Sequence, residues 1–233
     1  MAMQQSLFGS LAAVAPTAVS QPATSFGKIL LKDAVFTVID LETTGLNAKR
    51  NGITEVTAIQ FKNGQEIAKY STLIKPAEPI PEEVELLTGI TNEMVRHSPA
   101  LVMVLSELSG FLGEAPLIVG HNVSFDIGFL KEKISQNGLD AFADRYDLNR
   151  AFCTKVLAQK ALPTLPSYEG IVVATAIGYH NANPHRAESD VRMSAAILFE
   201  LIARLQSPTV DSGQTPLNTL QDLLDYQGLL SER

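Results

Sequence analysis

The first sustained apolar run, VFTVIDL from Val35 to Leu41, is hydrophobic or β-branched at nearly every position. Such a run predicts a central strand covered on both faces. Two more strand patterns follow, Ile53 to Phe61 and Glu66 to Ile74, joined by Lys62, Asn63 and Gly64, a connection with turn chemistry. Together they predict an antiparallel meander. Pro79 and Pro81 break the pattern, and helical pieces are predicted at Glu82 to Leu87 and Asn92 to Val95. An amphipathic helix over Ala100 to Leu112 then stops before Pro116. Leu117 to Gly120 predicts a fourth strand, reached through a helix and therefore parallel to the first. Helical patterns at Ser124 to Gln136, Thr154 to Ala161, Tyr168 to Ile177 and Arg186 to Leu205 complete an α/β domain with a mixed sheet.

The two ends differ from this middle. Residues 1–27 are rich in Ala, Ser, Thr, Gln and Pro, almost uncharged and without periodicity, which predicts a flexible tail ahead of a folded domain at 28–206. Beyond it, in 207–233, the polar linker SPTVDSGQTP leads to Leu217, Leu220, Leu224 and Leu230, a stripe that fits a final helix serving a partner or covering the domain. No Lys or Arg precedes Lys28, so the charged start of a signal peptide is missing, and no apolar run reaches the length of a membrane span. Cys153 is the single cysteine and has no internal disulfide partner; a reducing, cytoplasmic setting is expected.

Charge narrows the function classes. The 25 acidic residues outnumber 18 basic ones, a formal charge of -7 that repels phosphate and excludes a broad basic platform for nucleic acid. A nucleic-acid substrate stays open, because carboxylates filled with divalent metal reverse their local sign.

Three short segments carry candidate chemistry. In DLETTGL, Asp40 and Glu42 are spaced i and i+2 at the end of the buried strand, so both point to one face. Two like charges there oppose each other's ionisation, which a cation would relieve, although solvated residues at a strand end explain the pair as well. In HNVSFD, Asp126 falls in the first turn of a helix after the fourth strand, where a carboxylate also simply suits the helix dipole. In HRAESD, His185 leads a helix that carries Asp190, and each residue alone has an ordinary surface or dipole role. The set is what persuades, since sites gather where parallel strand ends meet.

DLETTG, TGIT at Thr88 to Thr91, HNVSFD and HRAESD, in this order from about Lys32 to Leu205, resemble the DEDDh family of 3′→5′ exonucleases. The type is found in the proofreading epsilon subunits of bacterial DNA polymerase III and in exonuclease segments of related polymerases. The resemblance implies a ribonuclease H-like fold, a five-stranded mixed sheet flanked by helices, with the fifth strand somewhere in Arg145 to Cys153. It implies that Asp40, Glu42, Asp126 and Asp190 hold two divalent ions, Mg²⁺ or Mn²⁺, as hard oxygen ligands. Such a pair activates an attacking water and stabilises the departing 3′ oxygen, releasing a nucleoside 5′-monophosphate. His185 is the candidate general base, because imidazole as a group titrates near neutral pH.

The same resemblance puts Thr43, Thr44, Gly45 and Leu46 under the terminal nucleotide, Leu46 wedged against its base, with Phe125 packing near the site or in the core. Glu83 takes the position of a substrate-contacting Glu, while Thr88 stands where these enzymes carry a histidine. The expected substrate is a DNA 3′ end, with RNA the alternative because only sugar and surface contacts separate the two. A non-catalytic replication module would lack one of the five site residues, and all five are present. In the tail, Gln4, Leu7 and Phe8 resemble the short peptide by which bacterial replication proteins attach to the sliding clamp, a tether that would replace electrostatic attraction with proximity. Any coupling to synthesis would need a polymerase subunit on another chain.

Overall fold

The computed structural model describes residues 28–113, 117–147, 151–207 and 215–228. The clamp-like peptide with Gln4, Leu7 and Phe8, the break at Pro116 and the last stripe position Leu230 lie outside them.

Strands β1 (Val35–Thr43), β2 (Ile53–Lys62) and β3 (Gln65–Leu73) form the antiparallel meander. Its hairpin turns on Asn63 and Gly64, both at positive φ (49° and 75°), the geometry of a two-residue turn that matches strand twist. Helices α1 (Glu82–Thr88), α2 (Asn92–Val95) and α3 (Leu101–Leu112) lead to β4 (Ile118–Gly120), which pairs parallel with β1. After α4 (Ser124–Gln136) comes a 3-10 helix at Asp140–Tyr146 that the periodicity did not announce. Strand β5 (Phe152–Cys153) is two residues long and parallel to β4, which is why no periodic signal reveals it. Helices α5 (Thr154–Ala161), α6 (Gly170–Ala176), α7 (Ala187–Gln206) and α8 (Leu220–Gln227) follow. The sheet order is β3-β2-β1-β4-β5, a ribonuclease H-like arrangement with helices on both faces.

Alternation along β1 divides the core. Phe36 and Val38 point to the face packed by α5, α7 and α8, and Ile39 and Leu41 point to the face packed by α3 and α4. Asp40 and Glu42 continue the even set and therefore face α7. The leucine stripe settles on the same side: Leu220, Leu223 and Leu224 are fully buried in that core, so the segment covers the sheet layer. Thr219 caps α8 by a reciprocal capping box with Asp222, which fixes where that cover begins. Among the described residues no helix is long and apolar enough to cross a membrane.

Candidate active site

The site forms where β1 outruns its parallel neighbour. The β1–β4 pairing ends at Val38 and Val119, so the Leu41 N–H has no strand partner on that side. Asp126, buried on the first turn of α4, accepts it at 3.1 Å. This bond draws α4 against the end of β1 and sets the Asp126 carboxyl beside Asp40.

From the other face comes Asp190, on the first turn of α7. Asn181 donates to one of its oxygens at 2.6 Å and the His185 backbone N–H donates to the other at 3.0 Å. His185 adopts a left-handed backbone, φ 61°, which aims that N–H back at the helix start; its side chain is exposed at the rim of the cleft. Carboxylate oxygens of Asp40, Glu42 and Asp190 lie within 4.8 Å of one another. Asp126 stands outside that triplet and acts on it through its charge on Asp40.

The electrostatics are unbalanced. Burial first, then the charges of Asp126, Asp190 and Glu42, hold the Asp40 carboxyl well above the usual carboxylate range. Burial followed by Asp190, Glu55 and Asp126 pushes Glu42 up to about 8, with Arg186 pulling the other way. Burial raises Asp126 to about 7 against its backbone hydrogen bonds, and raises Asp190 against Asn181 and the His185 N–H. Proximal oxygen donors that resist ionisation together fit a hard divalent cation, which would supply the missing positive charge.

Beside the cluster lies a cleft of about 480 Å³ lined by Asp40, His121, Gly170, Asn181, His185 and Asp190 among others. His121 closes its wall: Nε2 donates to the Tyr168 carbonyl (2.8 Å) and Nδ1 accepts from the Thr154 hydroxyl (2.9 Å). Burial holds that imidazole below its usual pKa and so neutral. A Cβ at Gly170 would sit 2.6 Å from the end of Met193, so the cleft keeps its depth only with glycine there or a shifted methionine.

The loop after β1 is tightly tied. Thr44 is buried, donates its backbone N–H to the Gly52 carbonyl at 2.9 Å, and accepts the Gly52 N–H on its hydroxyl at 2.9 Å. The Thr43 hydroxyl donates to the Gly45 carbonyl at 2.7 Å, and a Cβ on Gly45 would lie 2.8 Å from Asn51. The loop thereby holds up Leu46, which is 87% exposed. Leu46 and Phe125 line one hollow of about 420 Å³, while Phe125 also stacks on Phe129 at 4.8 Å. Glu83 is exposed on the first turn of α1 and lines neither this hollow nor the cleft at Asp40.

A family model described as exonuclease, the ribonuclease T type, matches residues 37–198, a span that contains every one of these groups. The chain belongs to this exonuclease family. The exonuclease is 34% identical over 175 residues to the DNA polymerase III subunit epsilon of Aquifex aeolicus, covering 75% of this chain and 84% of that protein. It is 33% identical to the PolC-type DNA polymerase III of Thermotoga maritima, covering 84% of this chain but only 14% of that much longer polymerase. Among solved structures it superposes on Escherichia coli exonuclease I in complex with a dA16 oligonucleotide, with a TM-score of 0.66 at 21% identity. That superposition spans 83% of this chain and 43% of the other, and it carries the fold.

Two side chains of this exonuclease site escaped the motifs. Asn181 is buried beside Asp190, with its carbonyl bound by the Ser189 hydroxyl; only its place shortly before His185 marks it in the sequence. Glu55 is the acid near the start of β2, a strand buried on both faces, and that buried charge is a signal visible in the sequence. It faces Glu42 across the β1–β2 pair, accepts from Arg186 at 2.8 and 3.2 Å, and takes the Ala187 N–H at 3.0 Å. Glu55 thus caps the start of α7 and fixes the height of Asp190 above the sheet.

Proposed function

We propose that this exonuclease removes single nucleotides from the 3′ end of a DNA strand, preferably single-stranded, in a metal-dependent reaction. The observation that carries the reading is the triplet Asp40, Glu42 and Asp190, whose carboxylates converge within 4.8 Å while no basic side chain is paired with any of them among the described residues. With Asp126 next to Asp40, these four acids would hold two divalent ions, which supply Lewis acidity at the scissile phosphate. Mg²⁺ or Mn²⁺ suits an all-oxygen set.

The chain's own groups do the rest. His185, exposed at the cleft rim, takes the proton of the attacking water as general base. Water oxygen bonds to phosphorus, the P–O3′ bond breaks, the departing O3′ of the penultimate sugar takes a proton from solvent to become a hydroxyl, and a nucleoside 5′-monophosphate is released. Thr43, Thr44 and Gly45 shape the loop under the terminal nucleotide, Leu46 meets its base and Phe125 completes the hollow; Glu83 would contact substrate only if the strand crosses α1. The epsilon subunit and PolC-type relatives support a place in proofreading or repair, and with it a polymerase partner and a cytoplasmic setting. A clamp tether through Gln4, Leu7 and Phe8 would concentrate an acidic enzyme at primer ends.

The test follows mononucleotide release from 3′-labelled and 5′-labelled single-stranded DNA with Mg²⁺, for wild type, Asp40→Ala and His185→Ala. Shortening from the 3′ end by wild type alone supports the assignment. Faster hydrolysis of a matched RNA would move the substrate to RNA, and inactivity on both polymers would sink the reading.

A further inference from the structure

Lys49 and Arg50 from the β1–β2 loop, Lys75 after β3 and Lys133 on α4 line one cleft of about 540 Å³, away from the carboxylate triplet. None of the four joins an ion pair among the described residues. Glu78 also faces the cleft, which leaves an excess of three positive charges in a chain whose formal charge is -7. Lys133 is 7% exposed, and among the described residues its ammonium donates only to the neutral Gln136 amide, at 3.0 Å. A buried ammonium so poorly matched is stabilised by an arriving anion. The cleft is also built: Gln136 donates to the Lys49 carbonyl at 3.2 Å, and the Lys75 N–H donates to the Pro99 carbonyl at 3.1 Å. These bonds tie the end of α4 to the β1–β2 loop, and the segment after β3 to the start of α3.

Its position gives the anion an identity. Lys49 lines both this cleft and the hollow that holds Leu46 and Phe125. A strand with its terminus at the carboxylates and its last base at Leu46 is therefore led along the same loop into the cations. We infer that this cleft binds the phosphodiester backbone of the bound nucleic acid beyond the terminal nucleotide. The inference rests on the reading of the site as acting on a nucleic-acid end. It explains how an acidic protein grips its substrate without a basic platform: the cations are few, unpaired and gathered on the far side of the base hollow.

The test is the salt dependence of binding, by fluorescence anisotropy, of a labelled single strand and of a duplex with a short 3′ overhang, both ended with a phosphorothioate. Lys49→Gln/Arg50→Gln should flatten the log Kd against log salt slope by about 1.4 on the single strand and weaken binding about five- to tenfold at moderate salt. Both side chains are exposed, so the fold should survive, and Lys75→Gln should act in the same direction. Lys62→Gln, at the far end of β2, should leave the slope unchanged. A flattened slope on the single strand assigns the cleft to the cut strand, and one seen only on the duplex assigns it to the complementary strand. An unchanged slope on both overturns the inference. Hydrolysis by wild type is followed in parallel: activity with an unchanged slope sinks the cleft and spares the reading, and a flattened slope without activity does the reverse.

Discussion

Glu42 and Glu55 face each other across one rung of the sheet, yet they live in opposite electrostatic worlds. Glu55 is buried against α7 with a guanidinium and an amide N–H on its oxygens, a closed account inside the protein. Glu42 has Asp40 and Asp190 as near neighbours, and its pKa is pushed up to about 8. The sheet thus carries one acid that serves the fold and another that weakens it unless a cation arrives. Proteins retain the second kind of site only where the missing charge comes from outside.

The sharpest way to break that comparison is to remove one acid from each side. Asp40→Asn should lower kcat on an oligonucleotide on the order of a thousandfold or more. The metal-free protein should melt no lower than wild type, because a buried repulsion has been relieved. Glu55→Gln should melt lower, and equal melting shifts of the two variants would refute the contrast.

Metal and pH probe the same imbalance with the chain intact. Glu42 and Asp126 have folded pKa values of about 8 and about 7, above their ordinary 4.5 and 3.8. Between those limits the folded state holds more protons than the unfolded, so these groups make the metal-free protein less stable as pH rises from about 4 to 8. Saturating Mg²⁺ binds the ionised cluster and should restore about 2 to 3 kcal/mol near pH 8 and little near pH 5. Thermal melts with Mg²⁺ and with chelator across that range read it directly; a gap that stays constant with pH would count against the cluster as the binding site.

Breaking the closed side should cost less. Arg186→Met leaves Glu55 buried with only the Ala187 N–H, a loss of about 2 kcal/mol in urea unfolding, below the usual cost of a fully buried pair because the Arg186 side chain is 32% exposed. Adding Glu55→Gln to it should recover part of that loss, and a strictly additive double variant would show the pair to be uncoupled. The smallest expected effect is Asn181→Ala, about ten- to a hundredfold in activity through a mispositioned Asp190, with the Mn²⁺ affinity measured by calorimetry falling in step. Unchanged metal affinity would reduce Asn181 to packing.

Much of this was legible in the chain. The strand VFTVIDL, the turn at Asn63 and Gly64 and the helix Ser124–Gln136 follow from local pattern, because periodicity and turn chemistry act over a few residues. Strand β5 was illegible, since two residues carry no period. Asn181 and the pairing of Glu55 with Arg186 were illegible too, because their partners lie 9 and 131 residues away.

The sequence alone determined the order of the longer elements, the face of β1 on which Asp40 and Glu42 stand, and the family to which the four motifs belong, all matters of local spacing. Tertiary structure decided which acids meet and which are neutralised. Burial and like-charge repulsion exist only once β1, α4 and α7 converge, and that convergence divides three neighbouring carboxylates that await a cation from the one, Glu55, that already has Arg186.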